Sequence, residues 1–104
     1  MSRAQIDFFV LDTVADDLEE GTHISERVGR WDPAVVPDVP MSLMRLVQQG
    51  LVEVCVRHST EPTLVSAGIG VWPSGPWQDN WYRITPQGLM VHSSWEPKDD
   101  EKAT

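Results

Sequence analysis

Residues 43–52 read LMRLVQQGLV, and residues 81–88 read WYRITPQG. In the first stretch, apolar residues recur at helical spacing as far as Gly50, and glycine is a residue type that ends helices. The β-prone run after that glycine predicts a strand directly behind the helix. The second stretch joins strand-forming residues to a Thr-Pro pair, which is typical of a helix start. Together the two stretches predict a helix that leads into a strand and a second strand that leads into a helix.

Apolar periodicity extends the prediction toward the N-terminus. It predicts helices over 4–20, 22–30 and 40–49. The segment 31–40 contains Pro33, Pro37 and Pro40, and this spacing of prolines does not allow a regular helix. We therefore expect a connector there, with room for one turn of helix.

Residues after the third helix have the pattern of a β ribbon. Apolar and polar residues alternate over 52–58, a second β-prone run covers 64–72, and a third covers 81–84. A turn is expected over 59–63, where Ser, Thr, Glu and Pro cluster. The sequence thus predicts an α+β fold with three N-terminal helices, a two- to three-stranded antiparallel ribbon and a short C-terminal segment.

The length of 104 residues fits one domain, expected over 1–95, with a charged and disordered tail over 96–104. A single cysteine, Cys55, excludes an internal disulfide and fits a reducing compartment. No apolar run is long enough to span a membrane, and no signal-peptide pattern opens the chain. We therefore expect a cytoplasmic protein that does not bind membranes.

The formal net charge of −8 disfavours unspecific attraction to nucleic acids. The acidic residues are unevenly distributed, however. Residues 1–21 carry six acids and one arginine, whereas residues 22–58 carry four arginines and four acids. The centre of the chain is therefore neutral, and DNA binding by it is expected to be weak and salt-sensitive.

The two stretches resemble the recognition helix and the wing of a winged helix-turn-helix domain, like those of small bacterial or phage transcription regulators of the MarR and PadR sort. The resemblance covers 22–92. The matching positions in the helix and its exit are Leu43, Leu46, Gly50, Leu51 and Val52, and those at the end of the wing are Tyr82, Ile84, Thr85, Pro86 and Gly88.

The resemblance implies a binding site for double-stranded DNA. Long polar side chains on the outward face of the third helix would enter the major groove, where arginine pairs with guanine and glutamine with adenine. Arginines beside it would hold phosphates. The same polar residues also suit an ordinary solvent-facing helix. The candidate base-contacting residues are Ser42, Arg45, Gln48 and Gln49, and the candidate phosphate-contacting residues are Arg27, Arg30 and Arg57.

A second interpretation is an acidic module that binds a protein and not DNA. No Lys or Arg lies between Arg57 and Arg83, whereas tryptophan, which concentrates binding energy at protein interfaces, recurs there. The first helix also has a second apolar face, suitable for a partner or for a homodimer. These tryptophans could instead fold over the sheet as core, and the first helix could pack under a loop. The candidate contact residues are Ile6, Phe9, Val10, Trp72 and Trp77.

Catalysis and metal binding have little support in the sequence. His23, His58 and His92 are isolated, and neither Cys-x-x-Cys nor His-x-x-x-His occurs. There is no phosphate-binding loop and no Gly-x-Ser-x-Gly sequence. We therefore expect no metal, no cofactor and no enzymatic activity.

Overall fold

The computed structural model describes residues 3–15, 18–57, 64–73 and 75–94. They form an α+β fold of four α-helices and one four-stranded antiparallel sheet. The expected turn and the expected tail lie outside the described residues, at 59–63 and 96–104.

The elements follow one another as α1 (Arg3–Thr13), β1 (Glu19–Glu20), α2 (Gly21–Trp31), α3 (Val39–Gln48), β2 (Val52–Arg57), β3 (Leu64–Ser66), β4 (Trp81–Ile84) and α4 (Pro86–Ser94). Short 3-10 helices cover Pro33–Asp38 and Trp77–Asp79. The bounds of α2 and α3 lie within one residue of the predicted ones. The proline-rich connector holds a 3-10 helix, which tolerates Pro37 because its hydrogen-bond pattern differs from that of an α-helix.

The prediction that the first helix reaches residue 20 is wrong. The helix α1 ends at Thr13, whose hydroxyl donates to the Val10 carbonyl oxygen at 2.6 Å. Glu19 and Glu20 form β1 instead, opposite Tyr82 and Trp81 of β4. Acidic side chains disfavour the C-terminal end of a helix, and strand pairing gives their backbone groups partners.

The sheet has the strand order β1-β4-β2-β3. The strand β4 pairs with both β1 and β2, and Val54 of β2 lies opposite Tyr82 of β4. The strand β3 adds to the other edge of β2. The predicted pairing of 52–58 with 81–84 is confirmed for β2 and β4, and the strand β1 was not predicted.

The core lies between the helices and one face of the sheet. It contains Leu43, Leu46 and Val47 of α3 together with Tyr82. The assignment of Ile6 and Val10 to an open partner surface is wrong. Both are buried in this core, because α1 packs on α3 through that face.

The stretches 43–52 and 81–88 meet at Thr85. Its hydroxyl donates to the Gly50 carbonyl oxygen at 2.6 Å, and the Thr85 hydroxyl oxygen itself accepts from the Gly88 amide at 2.9 Å. Gly50 has φ of 77°, a conformation that favours glycine. One threonine therefore caps α4 and fastens it to the turn that ends α3.

No helix among the described parts of the chain combines the length and the apolar character that crossing a membrane requires.

Candidate nucleic-acid interface

The outward surface of α3 is mixed in character. Gln48 and Gln49 are exposed at the C-terminal end of the helix, as predicted from its periodicity. Met41, near the N-terminal end, is 55% exposed, and Met44 is half-buried. A partner of this helix would thus meet amide groups at one end and a thioether side chain at the other.

Ser42 does not belong to this outward surface. Its expected outward orientation is wrong, because the residue is fully buried and its hydroxyl donates to Oδ1 of Asp7 on α1. The hydroxyl and the carboxylate satisfy each other inside the contact between α1 and α3, where an unpaired polar group would be costly. Direct contact of Ser42 with a base would require this contact to open.

Arg45 lies at the edge of the same contact, and its side chain is 24% exposed. Its Nε donates to Oδ2 of Asp7 at 3.1 Å, and its Nη2 donates to Oδ1 at 2.6 Å. This bidentate hydrogen bond with Asp7 raises the pKa of the Arg45 guanidinium, an effect that burial opposes. The side chain remains charged and is held in one orientation.

Asp7 was not among the candidate site residues predicted from the sequence. It is 7% exposed and shares a face of α1 with the buried Val10 and Leu11. An ionised carboxylate on an apolar face requires partners. The place of Asp7 on an apolar helix face is the sequence signal that could have identified it. Arg45 of α3 could then have been considered as the partner of its carboxylate.

Three candidate phosphate-contacting residues have different surroundings. Arg30 is exposed in the last turn of α2. Arg27 is also exposed, but its Nη1 lies 3.5 Å from Glu19 Oε2 and 3.4 Å from the Thr13 carbonyl oxygen. Arg57 ends β2, and its side chain lies outside the described residues. Of the two candidates whose side chains the structure describes, Arg30 is therefore exposed without an ion pair, whereas Arg27 lies beside Glu19.

The tryptophans of the segment between β3 and β4 are half-buried. The ring of Trp72 lies 6.0 Å from that of Tyr82, between centroids, and Trp72 and Trp77 both pack against the core. The Tyr82 hydroxyl donates to the Trp77 carbonyl oxygen at 2.8 Å, and burial raises the pKa of this phenol. The large hydrophobic residues exposed in the described part of this segment are Ile69 and Val71.

Phe9, the remaining candidate contact residue, stacks on Trp31 of α2 with ring centroids 3.8 Å apart. Phe9 is half-buried, whereas Trp31 is 42% exposed. The two rings form an aromatic pair on the surface where α1 and α2 meet. Trp31 was not among the predicted residues, although it is the first residue of the proline-containing segment 31–40.

An open pocket of about 310 Å³ lies between α1 and α3. Its lining includes two cations and one anion, so the pocket has no single strong charge. The lining residues are Arg3, Ile6, Asp38, Met41 and Arg45.

Chemistry-bearing side chains elsewhere are dispersed. In the described ranges, no group of three or more His, Cys, Asp or Glu residues is placed to hold a metal ion. Burial raises the pKa of the Cys55 thiol, which lowers its thiolate fraction at neutral pH.

Comparison with family models, with curated proteins and with solved structures found no match to this chain.

Proposed function

We propose that this chain is a winged-helix protein that binds duplex DNA through the outward surface of α3, as a transcription regulator does. The order of the elements carries the proposal. Three helices precede two adjacent antiparallel strands, β2 and β4, and the short strand β1 joins the free edge of β4. The proposal is also supported by α3, which would be the recognition helix. This helix has one face in the core and one face open.

The exposed side chains of α3 suit contact with bases. Gln48 and Gln49 can each bond to the N6 and N7 atoms of adenine, a pairing that distinguishes adenine in the major groove. Arg30 would hold a phosphate, which positions the protein without reading sequence. The acidic composition of the chain implies weak binding, which added salt weakens further.

Replacing Gln48 by alanine is expected to weaken binding to a preferred duplex by about 1–3 kcal/mol, or about 5- to 150-fold. The reason is the loss of a base contact. The duplex would be selected on the parent protein from a random library, and binding would be measured by fluorescence anisotropy at 50 mM salt. Gln87→Ala is the matched control, because Gln87 is an exposed glutamine on α4.

Two results would contradict the DNA proposal. One is that selection yields no duplex that the parent protein retains at 50 mM salt. The other is that the two glutamine variants bind the selected duplex equally.

The aromatic pair of Phe9 and Trp31 favours a second candidate function, a protein-contact module that self-associates. Large exposed aromatic rings are enriched at protein interfaces. The segment between β3 and β4 also contains no Lys or Arg, which a DNA-binding wing usually brings to the backbone. This candidate places the interface on α1 and α2 rather than on α3.

For this candidate, Trp31→Glu is expected to convert a self-associating protein into a monomer, because a charge cannot be buried in an apolar contact without a partner. Sedimentation velocity over a range of concentrations would measure the change. Met90→Glu is the control, since it adds the same charge at an exposed apolar residue of α4. A parent protein that is already monomeric at every concentration excludes the self-association.

A further inference from the structure

We propose that Asp7 is a specificity-determining residue, which competes with DNA phosphates for Arg45 and so limits binding to DNA of arbitrary sequence. This inference rests on the proposed DNA-binding function and adds a role for a residue of α1 whose carboxylate accepts hydrogen bonds from Ser42 and Arg45 of α3.

The first step is the match between carboxylate and phosphate. Arginine binds both through two parallel N–H···O bonds, with the same planar arrangement of donors. In this protein Asp7 already occupies Nε and one N–H of Nη2 on Arg45. A phosphate that requires this edge of the guanidinium has to displace the carboxylate first.

The second step is that Asp7 cannot easily move aside. Its side chain is 9% exposed, and Oδ1 also accepts from Ser42, a fully buried residue of α3. Displacement would leave an ionised carboxylate and a hydroxyl without full pairing inside the protein, which is unfavourable. The internal pair is therefore a strong competitor for an external anion.

The third step concerns what Arg45 can still do. A guanidinium has five N–H donors, and the two bonds to Asp7 leave donors on Nη1 and Nη2. The side chain is also 24% exposed, beside the open pocket with Met41. DNA can therefore contact Arg45 only through these remaining donors on Nη1 and Nη2, which are held in a fixed direction. A base acceptor at one position in the duplex can match that direction better than a mobile phosphate can.

The test measures binding to a 20-base-pair duplex of random sequence across a salt series. Asp7→Asn keeps the shape of the side chain but removes the charge that holds Arg45. We expect this variant to bind on the order of tenfold more tightly at 50 mM salt, with a salt slope steeper by about 0.9, the value for one added phosphate contact. Glu26→Gln, which removes the same charge from an exposed position on α2, controls for net charge and should leave the slope unchanged.

A double variant separates this role from general destabilisation. If the gain comes from a released Arg45, then Asp7→Asn combined with Arg45→Ala must lose the gain in affinity and in slope. Thermal unfolding would establish that each variant is folded at the temperature of the assay. A readout without DNA is the NMR signal of the Arg45 Nε–H, which should be sharp and slowly exchanging in the parent and broadened in Asp7→Asn.

The outcomes distinguish this inference from the proposed function. If the parent protein binds DNA and Asp7→Asn behaves like Glu26→Gln, the role of Asp7 is overturned while DNA binding stands. If the NMR signal shows a restrained Arg45 but neither the parent nor any variant binds duplex at 50 mM salt, both proposals fail. A steeper slope that persists in the double variant also overturns the role, because Arg45 then cannot be its source.

Discussion

Replacing Asp7 by alanine is expected to lower the free energy of unfolding by about 3 kcal/mol. The substitution leaves Arg45 and Ser42 without the carboxylate that satisfies both of them. Removing one partner of a buried ion pair costs about 3–5 kcal/mol, and the partial exposure of Arg45 places this case at the lower end. Urea-induced unfolding followed by circular dichroism would measure the loss.

The matched control for this prediction is Glu26→Ala. Glu26 is also an acidic residue within a helix, but it is exposed on α2, so its removal should change stability by less than about 0.5 kcal/mol. Equal effects of the two substitutions would show that the contact between Asp7 and α3 adds nothing to stability.

Replacing Gly88 by alanine is expected to destabilise the protein by about 3 kcal/mol, at the upper end of the cost of overpacking. A methyl group at this position of α4 would overlap the carbonyl oxygen of Leu51 and come within 2.7 Å of the Ile84 side chain. The backbone of Leu51 cannot move aside as a flexible side chain can. The helix α4 would have to shift, which would strain the hydrogen bonds made by Thr85.

Gly29→Ala is the control for this substitution, because Gly29 also lies within a helix. There the added methyl group would meet a side-chain atom of Val36 at 3.2 Å and no backbone atom. Alanine favours a helix over glycine by about 0.5–1 kcal/mol, so Gly29→Ala should be neutral or slightly stabilising. Chemical denaturation of both variants would decide the matter, and a Gly88→Ala protein as stable as the parent would contradict the close approach of α4 to Leu51.

Much of the fold could be predicted from local patterns. The helices α2 and α3 have regular apolar spacing. The connector prolines mark where α3 begins, and Gly50 marks where it ends. The alternation in β2 and the short run of β4 identified the two strands that pair. These features depend on residues close in sequence, which a periodicity can detect.

The errors concern contacts between distant residues. Two residues of β1 form a strand only because the edge of β4 is available to them, so no local signal marks Glu19 and Glu20 as a strand. The periodicity of α1 was ambiguous because apolar residues lie on more than one of its faces. The face of α1 that carries Ile6 and Val10 is the buried one because it packs against α3. Helix propensity alone could not decide which apolar face of α1 would be buried.

The candidate site could be predicted less well than the fold. Outward orientation was correct for Gln48 and Gln49, which only required the helical period. It failed for Ser42 because a serine suits either surface or core, and its burial depends on Asp7, 35 residues away in sequence. The restraint on Arg45 has the same origin and could not be inferred from residues near it.

The Thr85 junction has a mechanical consequence. Since the Thr85 hydroxyl joins the turn after α3 to the first turn of α4, a hinge between these two helices would have to break its hydrogen bond to Gly50. We expect a tilt of α3 to be transmitted to α4 through this hydrogen bond. The angle of α4 is thus coupled to that of α3. A spectroscopic label at position 90 of α4 would therefore report a movement of the outward surface of α3.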